Sequence, residues 1–157
     1  MSVVQVEFIN PFVSAVSKTF ETMINLKVTR SAPALKKNQG TLHPISGIIG
    51  LSGNIAGTVI LTMPESFALK AASVLLMDDQ KNINADVLDA IGELTNMVAG
   101  NAKSQMEEYK LSLSLPNVIH GIDTEVHFPE RCQPITVPFD SDFGSFAIEV
   151  GFSNKQE

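Results

Sequence analysis

The sequence predicts an α+β fold in which two α-β-β-β halves pool their strands into one mostly antiparallel sheet, with two long helices on one face. Three observations carry this expectation. Ile9, Phe12, Val16, Phe20, Met23 and Ile24 recur at three- and four-residue spacing, which makes one apolar helical stripe. Val87, Ile91, Leu94, Val98 and Ala102 make a second. The runs "ISGIIGLSGNIAGTVILTM" from Ile45 and "ITVPFDSDFGSFAIEVGF" from Ile135 share a pattern: an apolar run, a turn, a glycine and an alternating run. Helix, strand and hairpin thus occur twice, at about 10–63 and about 84–152, as a degenerate internal duplication. At 157 residues, with no low-complexity linker, the chain fits one domain spanning 1–157.

Taken in order, Asn10 before Pro11 is a helix-start signal, since Asn caps free N–H groups and Pro suits the first helical position. The first helix is expected over about 10–25, with Ser17, Lys18, Glu21 and Asn25 opposite its stripe. "LKVTRSAPALKK" meets Pro33 and suits an edge strand or a bend. A hairpin follows around the Ser-Gly-Asn turn at 52–54. Pro64 and Glu65 open a shorter helix ending near Met77, and Asn84 or Asp86 starts the long one. "LSLSLPNVIHG" reads as a strand stopped by Pro116, and the tail from Ile135 reads as strand, turn, strand.

Composition excludes several function classes. With 11 Lys and Arg against 17 Asp and Glu, a net charge of -6 and scattered basic residues, the chain lacks the clustered cations a nucleic-acid binder needs. A lone Cys132 forms no internal disulfide and reads as a small buried hydrophobe in a reducing compartment. The start "MSVVQVEFINPF" lacks a signal-peptide pattern, and no stretch approaches the 18 apolar residues of a membrane span, so a cytoplasmic protein without a membrane partner is expected. His43, His120 and His127 lie far apart without ligand spacing, so no metal site is expected. The glycines of "SGIIGLSGNIAG" do not spell a phosphate-binding loop. Asp140 and Asp142 read as turn residues.

The long helix carries the chemistry. Opposite its core stripe fall Asp89, Glu93, Asn96, Gly100, Lys103 and Glu107. Glu93 and Asn96 are three apart, so their side chains stand one above the other. Gly92 and Gly100 flank the pair and are expected to lower the surface around it. Glycine in a helix costs about 1 kcal/mol relative to alanine, and exposed mid-helix Asn is also unfavourable. Three such choices within nine residues point to a surface that a partner approaches closely.

These residues resemble a family. "GELTNMVAGNAKS" is similar to the signature helix of the CheC/CheX chemotaxis phosphatases, whose E-x-x-N motif sits in such a run, and "INPFVSAVSKTFETM" resembles the start of the CheX branch. The CheC branch carries the motif in both long helices. Here Glu21 is followed three later by Ile24, with Asn25 one position late, so the single-motif CheX branch is the nearer and Glu21 and Asn25 read as surface residues.

The resemblance implies a phosphatase for the aspartyl phosphate of a CheY-like response regulator. Asn96 would position the attacking water, and Glu93 would orient the partner through the regulator's active-site lysine. Asp89, Gly92, Met97, Gly100 and Lys103 would form the docking surface around them. No cofactor of the protein's own is implied, the Mg2+ being held by the regulator. A homodimer is implied too, joined sheet to sheet, for which the β-prone run Thr58 to Met63 offers an edge. Two alternatives stand beside this reading: a non-catalytic docking module of chemotaxis or flagellar signalling using the same helix face, and an interaction surface on the glycine-rich hairpin edge.

Overall fold

A computed structural model describes residues 3–37 and 39–154, with side chains from Glu7 to Ser153 apart from residue 38. Helix α1 (Val3–Ile24) leads to two short strands, β1 (Val28–Arg30) and β2 (Ala34–Leu35), and then the hairpin of β3 (Ile45–Ser52) and β4 (Ile55–Met63). Helices α2 (Glu65–Leu76) and α3 (Ala85–Ser104) follow. After a 3-10 turn at Glu107–Tyr109 come β5 (Ser112–Leu113), β6 (Asn117–His120), β7 (Ile135–Ser141) and β8 (Phe146–Asn154). All strand pairs are antiparallel, in the order β1-β7-β8-β4-β3-β5, with β2 on β7 and β6 on β3. The strands interlock: β1 borders the β7–β8 hairpin, β6 borders the β3–β4 hairpin, and β4 meets β8 at the centre.

The helices lie on one face of this sheet because its alternation presents one apolar row there. Phe146, Ile148, Val150 and Phe152 of β8 join Ile135, Val137 and Phe139 of β7 in a core shared with all three helices. Phe20 stacks on Phe146 at 4.8 Å, and Phe8 meets Phe152 at 4.7 Å. Those Phe8 contacts correct the expected start of α1. The helix begins at Val3 and carries Pro11 inside it, because Phe8 and Ile9 are buried with Phe12 and their packing outweighs the hydrogen bond that proline removes. The expected short helix α2 joins the two long ones in this layer, packed against α3, with Phe67, Ala68, Ala71 and Ala72 buried.

Element ends follow from local chemistry. Asn84 caps α3, its Oδ1 accepting from the Val87 N–H at 2.9 Å. Asn25 closes α1 in the left-handed region at φ 52°, and the Leu26 N–H reaches the Phe20 carbonyl at 3.1 Å. Asparagine is the usual non-glycine residue for that left-handed position at a helix end. Asn25 thus has a structural task, and both it and Glu21 are exposed.

Two further expectations are corrected. The chain does not stop pairing at Pro116: β6 resumes on β3 at Asn117, because proline ends one strand without preventing the next residue from starting another. The run Thr58 to Met63 offers no free edge, since β4 is hydrogen-bonded along its length to β3 on one side and β8 on the other.

The sheet's second face is covered by the loop preceding β7. At Gly151 this cover approaches the backbone, for a Cβ there would strike Phe128 and the Cys132 sulfur. Cys132 is half-buried rather than buried, and desolvation pushes its thiol up to about 11, away from thiolate chemistry. Among the described residues no helix is long and apolar enough to cross a membrane, and no group of three His, Cys, Asp or Glu is placed to hold a metal ion.

Candidate functional site

Helix α3 is seated on β3 and β6 and packs against both α1 and α2. Its buried stripe, Val87, Ile91, Leu94, Val98 and Ala102, is the one the sequence gives. The turn that carries the candidate residues is held hard against the sheet by Thr95. This buried threonine donates to the Ile91 carbonyl at 2.7 Å, and its methyl and hydroxyl fill the space over Gly47 where any Cβ would collide. Glycine at 47 therefore lets α3 approach β3 closely, which fixes the depth of the residues on either side of Thr95.

Those residues are Glu93, exposed, and Asn96, half-buried. Neither side chain makes a hydrogen bond or ion pair with another described residue. They form a ridge with Asp89 and Lys103, both exposed, and with Met97 and Gly100, both half-buried. Two grooves border this ridge. One, of about 530 Å³, lies between Asp89, Gly92 and Glu93 on α3 and Pro116 and Val118 at β6. The other, of about 440 Å³, lies between Asn96, Met97 and Gly100 on α3 and Lys18, Thr22 and Met23 on α1.

The two glycines differ in kind. Gly92 is buried, against expectation: a Cβ there would sit 3.2 Å from Val118 Cγ2 and 3.8 Å from Pro116 Cγ, so its smallness serves the packing of β6 against the helix. At Gly100 a Cβ would meet nothing within 4 Å. Among the described residues nothing asks for glycine at that position.

Sequence reasoning missed Thr95 with Gly47, and the α1 wall of the second groove. The first left a signal, since a glycine inside a strand marks close backbone approach. The second left little, because Met23 belongs to the apolar stripe of α1 and only its place at the end of that stripe leaves it 40% exposed.

A family model described as "Chemotaxis phosphatase CheX" matches residues 45–140. The chain belongs to the CheX family. A curated relative, the CheY-P phosphatase CheX of Thermotoga maritima, is 26% identical over 121 residues, 75% of this chain and 78% of that protein. Among solved structures, a chemotaxis protein CheX from Desulfovibrio desulfuricans superposes with a TM-score of 0.85 at 28% identity, covering 94% of this chain and 99% of its own. The CheX of a CheX-CheY-BeF3-Mg2+ complex from Borrelia burgdorferi superposes at 0.76 and 25% identity, over 93% and 96% of the two chains. Membership in the CheX family accords with the α+β architecture and with the Glu-x-x-Asn run of Glu93 and Asn96 on α3.

Proposed function

We propose that this protein hydrolyses the aspartyl phosphate of a CheY-like response regulator, with the Glu93 and Asn96 ridge of α3 inserted at the phosphorylated site. The observation that carries this reading is that the two side chains stand adjacent, solvent-facing and uncommitted on a ridge between two grooves. It is supported by the curated relative, a CheY-P phosphatase, and by the Borrelia relative seen in complex with CheY.

The chemistry asked of the chain is small. Water attacks phosphorus in line, the P–O bond to the aspartate breaks, and inorganic phosphate leaves a free carboxylate on the regulator. Asn96 holds that water: its neutral amide both donates and accepts, so it fixes the water's direction without being a strong base. A carboxylate beside a phosphoryl group is repelled by it, so Glu93 faces a cation instead, which the family resemblance identifies as the regulator's active-site lysine. This pairing sets register. The Mg2+ belongs to the regulator. A hundredfold acceleration requires only about 2.7 kcal/mol off the barrier.

The test is the decay of a phosphorylated CheY-like regulator in Mg2+ with and without this protein. Acceleration that saturates with regulator concentration is expected. Binding at an unchanged decay rate would reduce the ridge to a docking surface.

Gly100→Ala separates the roles of this surface. It should stabilise the fold by about 0.5–1 kcal/mol, because the new methyl meets open space and alanine is the better helix former. It should also lower the acceleration. A variant more stable in urea but fully active would remove Gly100 from the interface.

We further propose a homodimer, which must join at a surface other than β4. Light scattering is expected to give twice 16.9 kDa, and a mass of one protomer would discard it.

A further inference from the structure

The groove between α1 and α3 has no assigned role, and three observations distinguish it from an ordinary surface furrow. Asn96 forms part of its wall, so the groove is continuous with the ridge. Two methionines give it apolar lining beside polar Thr22 and Asn101: Met97 is half-buried, Met23 is 40% exposed, and a Cβ on Gly100 would meet nothing within 4 Å. Finally, its two walls are tied together: Asn101 Nδ2 donates to the buried Thr19 Oγ1 at 2.7 Å, joining α3 to α1, and α1 ends just past Met23 with Asn25 in the left-handed region.

We infer that this groove receives an apolar side chain of the response regulator, from the segment adjoining its phosphoaspartate, and that Met23 of α1 is a specificity-determining residue for the partner. The inference rests on the reading in which Asn96 reaches the phosphoryl group. Given that placement, the groove that shares Asn96 as a wall is the one nearest the phosphoryl group and opens toward the segment adjoining the phosphoaspartate. Methionine suits such a seat because its unbranched, polarisable side chain repacks around different apolar shapes. Lys18 stands exposed at the rim, where it pairs with an acceptor on the partner and makes docking salt-dependent. Thus α1 supplies recognition at the groove while α3 supplies the hydrolytic residues.

The experiment is saturation kinetics of dephosphorylation, using a CheY-like regulator labelled from acetyl phosphate, for wild type, Met23→Gln, Met23→Leu and Val74→Gln. Val74, on α2, has the same 40% exposure as Met23 and lies outside the groove. Met23→Gln should raise the half-saturating regulator concentration by about tenfold with kcat within about twofold, as expected for removing an apolar anchor that binds ground and transition states alike. Met23→Leu should restore it, and Val74→Gln should behave as wild type. Thermal melts of all four should coincide within a few degrees. If wild type accelerates decay but Met23→Gln saturates at the same concentration, or lowers kcat alone, the groove is not the seat and the phosphatase reading still stands. A wild-type protein without effect on the decay overturns both.

Discussion

Asn96→Ala is expected to lower the rate of regulator dephosphorylation by about a hundredfold while leaving binding nearly intact, because a positioned water is lost and the docking surface is not. Glu93, Lys103, the groove beside β6 and the Met23, Met97 and Gly100 lining of the other groove remain in place. The fold should gain slightly, by about 0.5 kcal/mol, since Asn96 makes no hydrogen bond to another described residue and alanine is the better helix former at a half-exposed position. A stability gain beside an activity loss is the opposite of what a structural residue shows on truncation. Single-turnover decay and urea unfolding on the same preparation test the two halves together. An alanine variant that accelerates decay as wild type does would remove Asn96 from the mechanism, whatever its effect on stability.

Much of this surface was readable in the sequence, and the reason is periodicity. A 20-residue helix with a regular apolar stripe tells which residues face away from the core, and Glu93, Asn96 and Gly100 fall there in the structure as they do on a helical wheel. Gly92 was misplaced because a wheel records only a helix's own core direction. It lies toward β6, a strand that follows Pro116 and pairs with β3, and no helical pattern encodes that neighbour. The same limit hid the α1 groove, which exists only because two helices distant in sequence are tied through Thr19 and Asn101. Local signals fixed the hairpin ends and the Asn84 cap. At Pro11 they failed, where the buried Phe8 and Ile9 extend the helix past a residue that normally begins one. The edge expected at Thr58 to Met63 failed similarly: β-propensity locates a strand without telling whether it lies at the rim or the centre of a sheet.

The largest stability effect should come from the opposite face of the sheet, at Lys36. Its ammonium, with 6% of the side chain exposed, reaches both carboxylate oxygens of Glu149 at 2.8 and 2.9 Å and the Gly40 carbonyl at 3.0 Å, while Glu149 is 2% exposed and also accepts from Thr136 Oγ1 at 2.7 Å. All three ammonium donors are thus used, and the carboxylate is fully engaged. Lys36→Met would keep the length of the side chain and leave a buried carboxylate without its cation, an arrangement that costs about 3–5 kcal/mol. Replacing both partners, as Lys36→Met with Glu149→Leu, should recover most of that loss, since an apolar pair has no charge to desolvate. The pair joins the chain after β2 to the centre of β8, so its loss should loosen the β2 edge and the loop cover together. Because α3 lies across the sheet, the dephosphorylation rate per folded molecule should stay that of wild type. Urea unfolding of the single and double variants forms the cycle. A single variant within about 1 kcal/mol of wild type would mean that solvent reaches Glu149 and that the network contributes little.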